Sequence, residues 1–222
     1  MPFSEALKRA VDEYARNDLA GDLDAHIGFF SFLSDDPALQ RRVGEEYFSA
    51  RYIYKLWEGM RIEDDWGRRA QVQLQVQQYA SVYEACLHHL LFVRCAGTAE
   101  VDDLLSLKTL KHWSVSQELQ SALDAAPGPE GRAVVAAIRS TISIPDTKVR
   151  FEHKADAAVR LGIIDAALAE ELKEFYAARN LIHIHAELQK GSSWTWKMEF
   201  ATNAYWRLIA FKEQVEAWQD AA

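Results

Sequence analysis

The segment from Arg179 to His185 concentrates side chains that can transfer protons and bind a phosphate group. Its sequence, RNLIHIH, places one arginine, one asparagine and two histidines within seven residues. Histidine exchanges protons near neutral pH, and the planar guanidinium of arginine can bind two phosphoryl oxygens at once. Together these groups suit cleavage of RNA by attack of a ribose 2′-hydroxyl on its own phosphate, a reaction that requires no metal ion.

A long helix from Asp165 to about Gln189 is predicted to carry this segment. Its apolar residues recur three and four positions apart and form one stripe, which consists of Leu168, Leu172, Phe175, Ala178 and Ile182. Because successive residues turn by about 100°, Arg179 and His185 lie about 60° to either side of Ile182. Both polar side chains are therefore expected at the edges of the buried stripe.

The same residues also suit an ordinary interface between helices. In that interpretation Arg179 pairs with a carboxylate such as Glu84, and His185 is a hydrogen-bonded histidine between helices. His183 follows Arg179 by four residues and can touch it, whereas Asn180 points nearly opposite the apolar stripe. The residue types alone therefore leave the catalytic and structural interpretations open.

The pattern of Arg179, Asn180 and His185 resembles the motif of HEPN domains, helical modules that occur in higher eukaryotes and prokaryotes. That motif has an arginine, often a polar residue after it, and a histidine several residues later. Five residues separate Arg179 from His185, whereas His183 is too close to fit and is interpreted as a neighbour. The preceding segments, SVYEACLHHLLF and FEHKADAAVRLGII, are also similar in layout. The resemblance covers about residues 70–190.

This resemblance implies a metal-independent endoribonuclease that leaves 2′,3′-cyclic phosphate ends and uses no cofactor. In active members the arginine and histidine of two protomers meet at a dimer interface, which implies a homodimer that binds RNA. Arg179 would bind the phosphate, His185 would transfer protons and Glu84 would support Arg179, with Asn180 and His183 beside them. The implied settings are toxin–antitoxin systems and antiviral defence, with an antitoxin or a regulatory protein as a further partner.

Other HEPN members have lost activity and serve as binding or scaffold modules, which gives an alternative of a different class. The chain has 25 lysine and arginine residues against 33 aspartate and glutamate residues, so its net charge is −8. Nonspecific nucleic-acid binding depends on cationic side chains that neutralise phosphates, so this balance favours a noncatalytic interaction module. The spacing from Arg179 to His185 favours the ribonuclease.

Helical periodicity extends through most of the chain and predicts an all-α fold of six to eight helices, which the resemblance implies is a HEPN-like bundle. Further helices are expected over Pro37 to Met60, Arg68 to Ala96, a stretch from Val101 toward the APGPEG turn, the segment GRAVVAAIRSTISI, and Thr147 to Leu161. Only WTWKMEF, near residues 194–200, alternates as a short strand would, or else forms an irregular lead into the last helix. We expect a single helical domain over residues 1–222, with a HEPN-like core at about 70–190 and helical elaborations at both ends.

Neither a metal site nor a membrane segment is expected. Adjacent His88 and His89 point about 100° apart on a helix, and the two cysteines, Cys86 and Cys95, lack a zinc or redox spacing. The chain has no apolar stretch of roughly 18 residues, and its N-terminal segment is charged rather than signal-like. A cytoplasmic location is therefore expected.

Overall fold

The computed structural model describes residues 3–17, 19–61, 64–126, 128–180 and 197–221. Contacts divide the chain into two compact units, one formed by Met1–Cys95 and Arg150–Ala222 and the other by Ala96–Val149. This division does not test the single domain expected over residues 1–222, which stays a prediction. The described residues are mainly helical and include one small two-stranded sheet, which confirms the all-α class with a short β element.

Nine α-helices and two strands lie in the described residues. In chain order the helices are α1 (Glu5–Asn17), α2 (Leu23–Gly28), α3 (Pro37–Met60), α4 (Asp65–His89), α5 (Ala99–Leu104), α6 (Gln117–Ala125), α7 (Phe151–Arg160), α8 (Ala166–Asn180) and α9 (Met198–Ala221). The strands are β1 (Ser106–His112) and β2 (Ala137–Ser143). The helices outnumber the expected six to eight because short ones such as α2, with six residues, show too little periodicity to be recognised. None of the described helices is long and apolar enough to cross a membrane.

Helix α3 has the bounds that the sequence predicts. It begins where the Asp36 carboxylate accepts a hydrogen bond from the Leu39 amide at 3.0 Å, and Pro37 occupies its first turn. It ends at Met60, and the next residue, Arg61, has a φ of 47°, in the left-handed region. A capping carboxylate and a proline before an apolar repeat are start signals that can be recognised in a sequence.

The helix predicted over Arg68 to Ala96 consists of α4 and a π-helical turn, Leu90–Arg94, that follows it directly. The amide after this turn donates to the carbonyl five residues back, so the turn contains one residue more than an α-turn. Arg94 donates to both carboxylate oxygens of Asp35, at 3.0 and 2.5 Å, and buried His89 lies 3.0 Å from the same carboxylate. The hydrogen bonds from Arg94 lower the pKa of Asp35 to about 2.

Helix α4 is the central helix of the first unit and contacts α3, α7, α8 and α9. The buried Tyr83 on α4 donates a hydrogen bond to the backbone carbonyl of Ala204 on α9 at 2.6 Å. Its ring stacks on Phe175 of α8, with the centroids 6.4 Å apart. Each large apolar side chain buried in such a core stabilises the fold by roughly 1.5–3 kcal/mol, so α4 holds α8 and α9 in place.

Helices α8 and α9 run antiparallel to each other. Glu171 and Arg207 form an ion pair between them, and the Phe175 and Phe200 rings lie 5.1 Å apart one turn closer to the C-terminal end of α8. The C-terminal end of α8 therefore lies beside the N-terminal end of α9. The predicted continuation of the motif helix to Gln189 lies outside the described residues.

The second unit contains α5, α6 and an antiparallel pair of strands, β1 and β2, between which α6 lies in the sequence. The prediction of a helix over GRAVVAAIRSTISI is wrong, because residues 137–143 form β2. The register places Leu107 opposite Ile142 and Lys111 opposite Ile138. Isoleucine and threonine favour a pleated strand when a partner strand pairs with them, and the sequence of one strand does not reveal its partner.

The prediction of a strand near residues 194–200 is wrong for Met198 to Phe200, which form the first turn of α9. Trp194 and Trp196 lie outside the described residues. Helical spacing takes over after Phe200, where α9 buries Ala201, Ala204, Leu208, Phe211 and Val215. Packing of this long apolar stripe extends the helix back through a segment whose own alternation is strand-like.

Candidate functional site

Arg179 and Glu84 form an ion pair between α8 and α4. The Arg179 Nη1 donates to Glu84 Oε2 at 2.5 Å, although the two residues are 95 positions apart in the chain. The side chain of Arg179 is 29% exposed and that of Glu84 is 28% exposed. The pair is therefore half-buried, with one side in contact with solvent and with any ligand that approaches.

The ring of Tyr176, one turn before Arg179 on α8, lies against the Arg179 guanidinium. The Arg179 Cζ lies 5.1 Å from the centroid of the Tyr176 ring, a distance that allows a cation–π interaction. The Tyr176 hydroxyl donates to Glu84 Oε1 at 3.3 Å, and its ring stacks on Phe151 of α7 with the centroids 4.3 Å apart. Burial, and then the negative charge of Glu84, raise the pKa of Tyr176, so this hydroxyl keeps its proton.

Lys154 of α7 brings a second cation to Glu84. Its Nζ lies 3.7 Å from Glu84 Oε1, and the residue is only 3% exposed. Formally, two positive side chains face the Glu84 carboxylate, while Glu152 of α7 is a second carboxylate near enough to raise the pKa of Tyr176. An anionic ligand would therefore be attracted by the two cations themselves and not by a net positive charge of the cluster.

Lys154 is not among the predicted site residues, although the sequence contains a signal for it. Within FEHKADAAVR, Lys154 lies three residues after Phe151 and four before Ala158, both of which are buried. A lysine on the apolar face of a helix must find an anion or reach solvent, because burial of an unpaired charge is costly. Helical spacing therefore indicates an ion pair for Lys154, but it does not identify Glu84 as the partner.

Part of the Arg179 guanidinium remains available for a ligand. Its Nη1 is used by Glu84, whereas its Nη2 and Nε have no hydrogen-bond acceptor among the described residues. Arginine presents its donors in a rigid planar fork that matches two oxygens of a phosphate. Arg179 can therefore keep its ion pair and still bind a phosphoryl group through the remaining donors.

The other predicted site residues are placed only in part. Asn180 is the last residue of α8 and is exposed, as expected for a side chain opposite the apolar stripe. His185 and His183 lie outside the described residues. Two further histidines belong to the helices that form the cluster: half-buried His88, one turn after Glu84 on α4, and exposed His153, beside Lys154 on α7.

Among residues 3–17, 19–61, 64–126, 128–180 and 197–221, no group of three or more His, Cys, Asp or Glu side chains could hold a metal ion. His88 lies beside Phe92, whereas His89 points to Asp35, so the adjacent histidines diverge as their helical positions predict. Cys86 and Cys95 are buried, and burial raises the pKa of the Cys86 thiol. The chemistry available at the described cluster is therefore that of an arginine, a lysine, a phenol and a carboxylate.

The pairing of Arg179 with Glu84 agrees with both interpretations of the sequence. In many HEPN domains a polar residue on an earlier helix supports the arginine, and a structural ion pair between helices has the same contact. The exposed edge of the guanidinium and the second cation are the features that a ligand could use. Comparisons of this chain with protein-family models, curated proteins and solved structures found no significant match.

Proposed function

We propose that this chain is a metal-independent endoribonuclease of the HEPN type that acts as a homodimer in the cytoplasm. Arg179 binds the scissile phosphate and His185 transfers protons. The observation that carries the proposal is the half-buried Arg179, held by Glu84 and Tyr176 with two of its nitrogens unoccupied among the described residues. A toxin–antitoxin or antiviral defence setting, with an antitoxin or regulatory protein as partner, belongs to the same proposal.

The geometry of the cluster suits a phosphate at Arg179. Glu84 and Tyr176 fix the guanidinium, so little side-chain freedom is lost when a ligand binds. The remaining donors of Arg179 would grip two phosphoryl oxygens and stabilise the charge that develops on them in the transition state. Lys154 adds positive charge behind Glu84, which limits the extent to which this carboxylate repels the phosphate.

Cleavage would proceed by internal transfer. The ribose 2′-oxygen forms a bond to phosphorus while the bond from phosphorus to the 5′-oxygen of the next nucleotide breaks, which leaves a 2′,3′-cyclic phosphate. One group must accept the proton of the 2′-hydroxyl, and another must give a proton to the departing 5′-oxygen. Two copies of His185, one from each protomer of a C2 dimer, would supply the two proton transfers.

The direct test is cleavage of mixed cellular RNA by the purified chain in the presence of EDTA. We expect 2′,3′-cyclic phosphate ends, and we expect His185→Ala to lower the rate by about 10² to 10⁴, as is typical when a general acid or base is removed. His88→Ala is the matched control, because His88 is half-buried on α4 and has no proposed role in cleavage. Absence of cleavage by the wild-type dimer, or equal rates for wild type and His185→Ala, would refute the proposal.

The alternative is a noncatalytic interaction module in which the same cluster only ties α4, α7 and α8 together. The net charge of −8 favours it, because most of the chain repels a polyanion. In this case Arg179→Ala and His185→Ala would lower the melting temperature, and neither wild type nor variant would cut RNA. Measurement of melting temperature and cleavage on the same samples distinguishes the two functions.

A further inference from the structure

A pocket separate from the Glu84 cluster opens between α3, α4 and α9 in the first unit. Its volume is about 230 Å³, and its walls include Arg51 and Lys55 of α3, Tyr79 of α4, and Tyr205 and Trp206 of α9. Since one water molecule occupies roughly 30 Å³ of liquid, the pocket is much larger than a hydration site. It combines cationic and aromatic side chains with a buried hydroxyl.

Arg51 is the cation of this pocket that lacks an acidic partner. Its Cζ lies 4.1 Å from the centroid of the Tyr205 ring and 5.3 Å from that of Tyr54, and no carboxylate of the described residues forms an ion pair with it. Lys55, in contrast, donates to Glu58 at 2.7 Å, so its charge is offset. The guanidinium thus lies over an aromatic ring while its charge is left for a ligand.

The Tyr79 hydroxyl is a second polar group of this pocket, and the neighbouring Arg51 guanidinium is close enough to interact with it. Tyr79 is 1% exposed, and its oxygen is buried with no well-formed hydrogen bond to any described residue. A buried hydroxyl that lacks a partner costs about 1–3 kcal/mol, so proteins rarely retain one unless something else binds it. Burial raises the pKa of Tyr79, which makes the hydroxyl a hydrogen-bond donor throughout the physiological range.

Trp206 supplies an open aromatic surface beside these donors. The side chain is large and apolar, yet the residue is 55% exposed, and its ring lies 5.1 Å from Tyr205 in an edge-to-face arrangement. Exposed tryptophan faces are suited to stacking on a planar ring, and nucleobases stack on aromatic side chains irrespective of their identity. The pocket therefore has a place for an anion at Arg51 and Tyr79 and a place for a ring at Trp206.

We infer that this pocket binds a nucleoside monophosphate, with the phosphate at Arg51 and Tyr79 and the base stacked on Trp206. The phosphate accepts hydrogen bonds from the guanidinium and from the Tyr79 hydroxyl, which satisfies the buried donor. A volume below the roughly 300–1,000 Å³ of typical small-molecule sites suits one nucleotide whose base extends onto the exposed tryptophan. The inference does not depend on RNA cleavage and is independent of the proposed function.

Isothermal titration of the full-length chain with adenosine monophosphate, adenosine and inorganic phosphate tests this assignment. We expect one site per chain for the monophosphate, and binding at least about tenfold weaker for adenosine and for phosphate alone, because each lacks one of the two contacts. Phosphate that binds as tightly as the nucleotide would overturn the assignment, as would the absence of saturable binding at millimolar nucleotide.

Single-residue variants test whether the nucleotide binds in this pocket. Arg51→Met should weaken nucleotide binding at least about tenfold through loss of charge-assisted hydrogen bonds, and Tyr79→Phe by about threefold or more. Arg42→Met is the matched control, because Arg42 lies on the exposed face of the same helix and pairs with Glu46. Unchanged affinity in both Arg51→Met and Tyr79→Phe, with melting curves that show folded protein, would refute the site. His185→Ala should bind the nucleotide as wild type does, so the outcome is separable from that of the cleavage experiment.

Discussion

The hydroxyl of Tyr83 and the backbone carbonyl of Ala204 form a buried hydrogen bond of 2.6 Å that joins the central helix α4 to α9. Tyr83→Phe should lower the free energy of unfolding by about 1 kcal/mol, because the bond is lost while the ring remains packed. Urea denaturation of the two proteins measures this difference.

Tyr79→Phe is the matched control for that experiment. Tyr79 lies one turn earlier on α4 and is buried to a similar degree, yet its hydroxyl has only the nearby Arg51 guanidinium beside it and makes no well-formed hydrogen bond in the described part of the chain. Removal of this hydroxyl should leave the stability unchanged or raise it. Equal losses of stability in Tyr79→Phe and Tyr83→Phe would contradict both assignments.

Glu84→Gln should destabilise the fold by about 2 kcal/mol, because the buried Lys154 and the half-buried Arg179 would lose their shared anion. Lys154→Met in the Glu84→Gln background should restore part of this loss by removal of the buried cation. Thermal and urea unfolding of the single and double variants measure the coupling. Strictly additive losses would show that Lys154 and Glu84 do not interact.

Arg179→Lys should lower RNA cleavage by at least about tenfold, since an ammonium cannot reproduce the planar grip on two phosphoryl oxygens. The melting temperature should change little, because a lysine can still pair with Glu84. Single-turnover cleavage assays beside melting curves separate the two effects. Cleavage that survives in Arg179→Lys would argue against a phosphate-binding role for Arg179.

Homodimerisation is expected because one chain supplies a single Arg179 and a single His185 to a reaction with two proton transfers. Light scattering at micromolar concentration should give about twice the chain mass of 25.2 kDa. A chain that is monomeric at high micromolar concentration, and nevertheless cleaves RNA, would show that the second protomer is dispensable.

The Asp35 carboxylate should make stability depend on acid pH. Arg94 lowers its folded pKa to about 2 from a reference value of 3.8, so its ion pair stabilises the fold above pH 4. This contribution should be lost as the pH falls from about 4 to about 2, because the carboxyl then gains its proton in the folded chain. Asp35→Asn should be less stable than wild type at pH 7 and should show a smaller further loss over that range in thermal unfolding.

The sequence predicts the long helices of the first unit because each of them repeats apolar residues over several turns. Helix α3 is bounded by Asp36 and Pro37 at one end and by a left-handed Arg61 at the other. Strands β1 and β2 could not be recognised in the same way. Their stability depends on pairs such as Leu107 with Ile142, and neither strand alone reveals which segment lies opposite.

The candidate site, like the fold, could be predicted from the sequence only in part. Arg179 could be found from the helical spacing of the motif, and Glu84 could be suggested as its partner. The partner of Lys154 and the Arg51 pocket could not be found, because each depends on contacts between different helices and so on the packing of the whole unit. Spacing in a sequence places residues on one face of one helix, whereas a site between helices also requires their relative positions.

The π-helical turn Leu90–Arg94 makes the fold sensitive to the deletion of a single residue from this segment. The turn accommodates one residue beyond the α-helical repeat, and the ion pair of Arg94 with Asp35 depends on that surplus. Deletion of the exposed Val93 would shorten the turn to an α-helical one and rotate the next side chain by about 100°, away from Asp35. Loss of one largely exposed residue would thus change the direction in which Arg94 points and break its contact with the loop before α3.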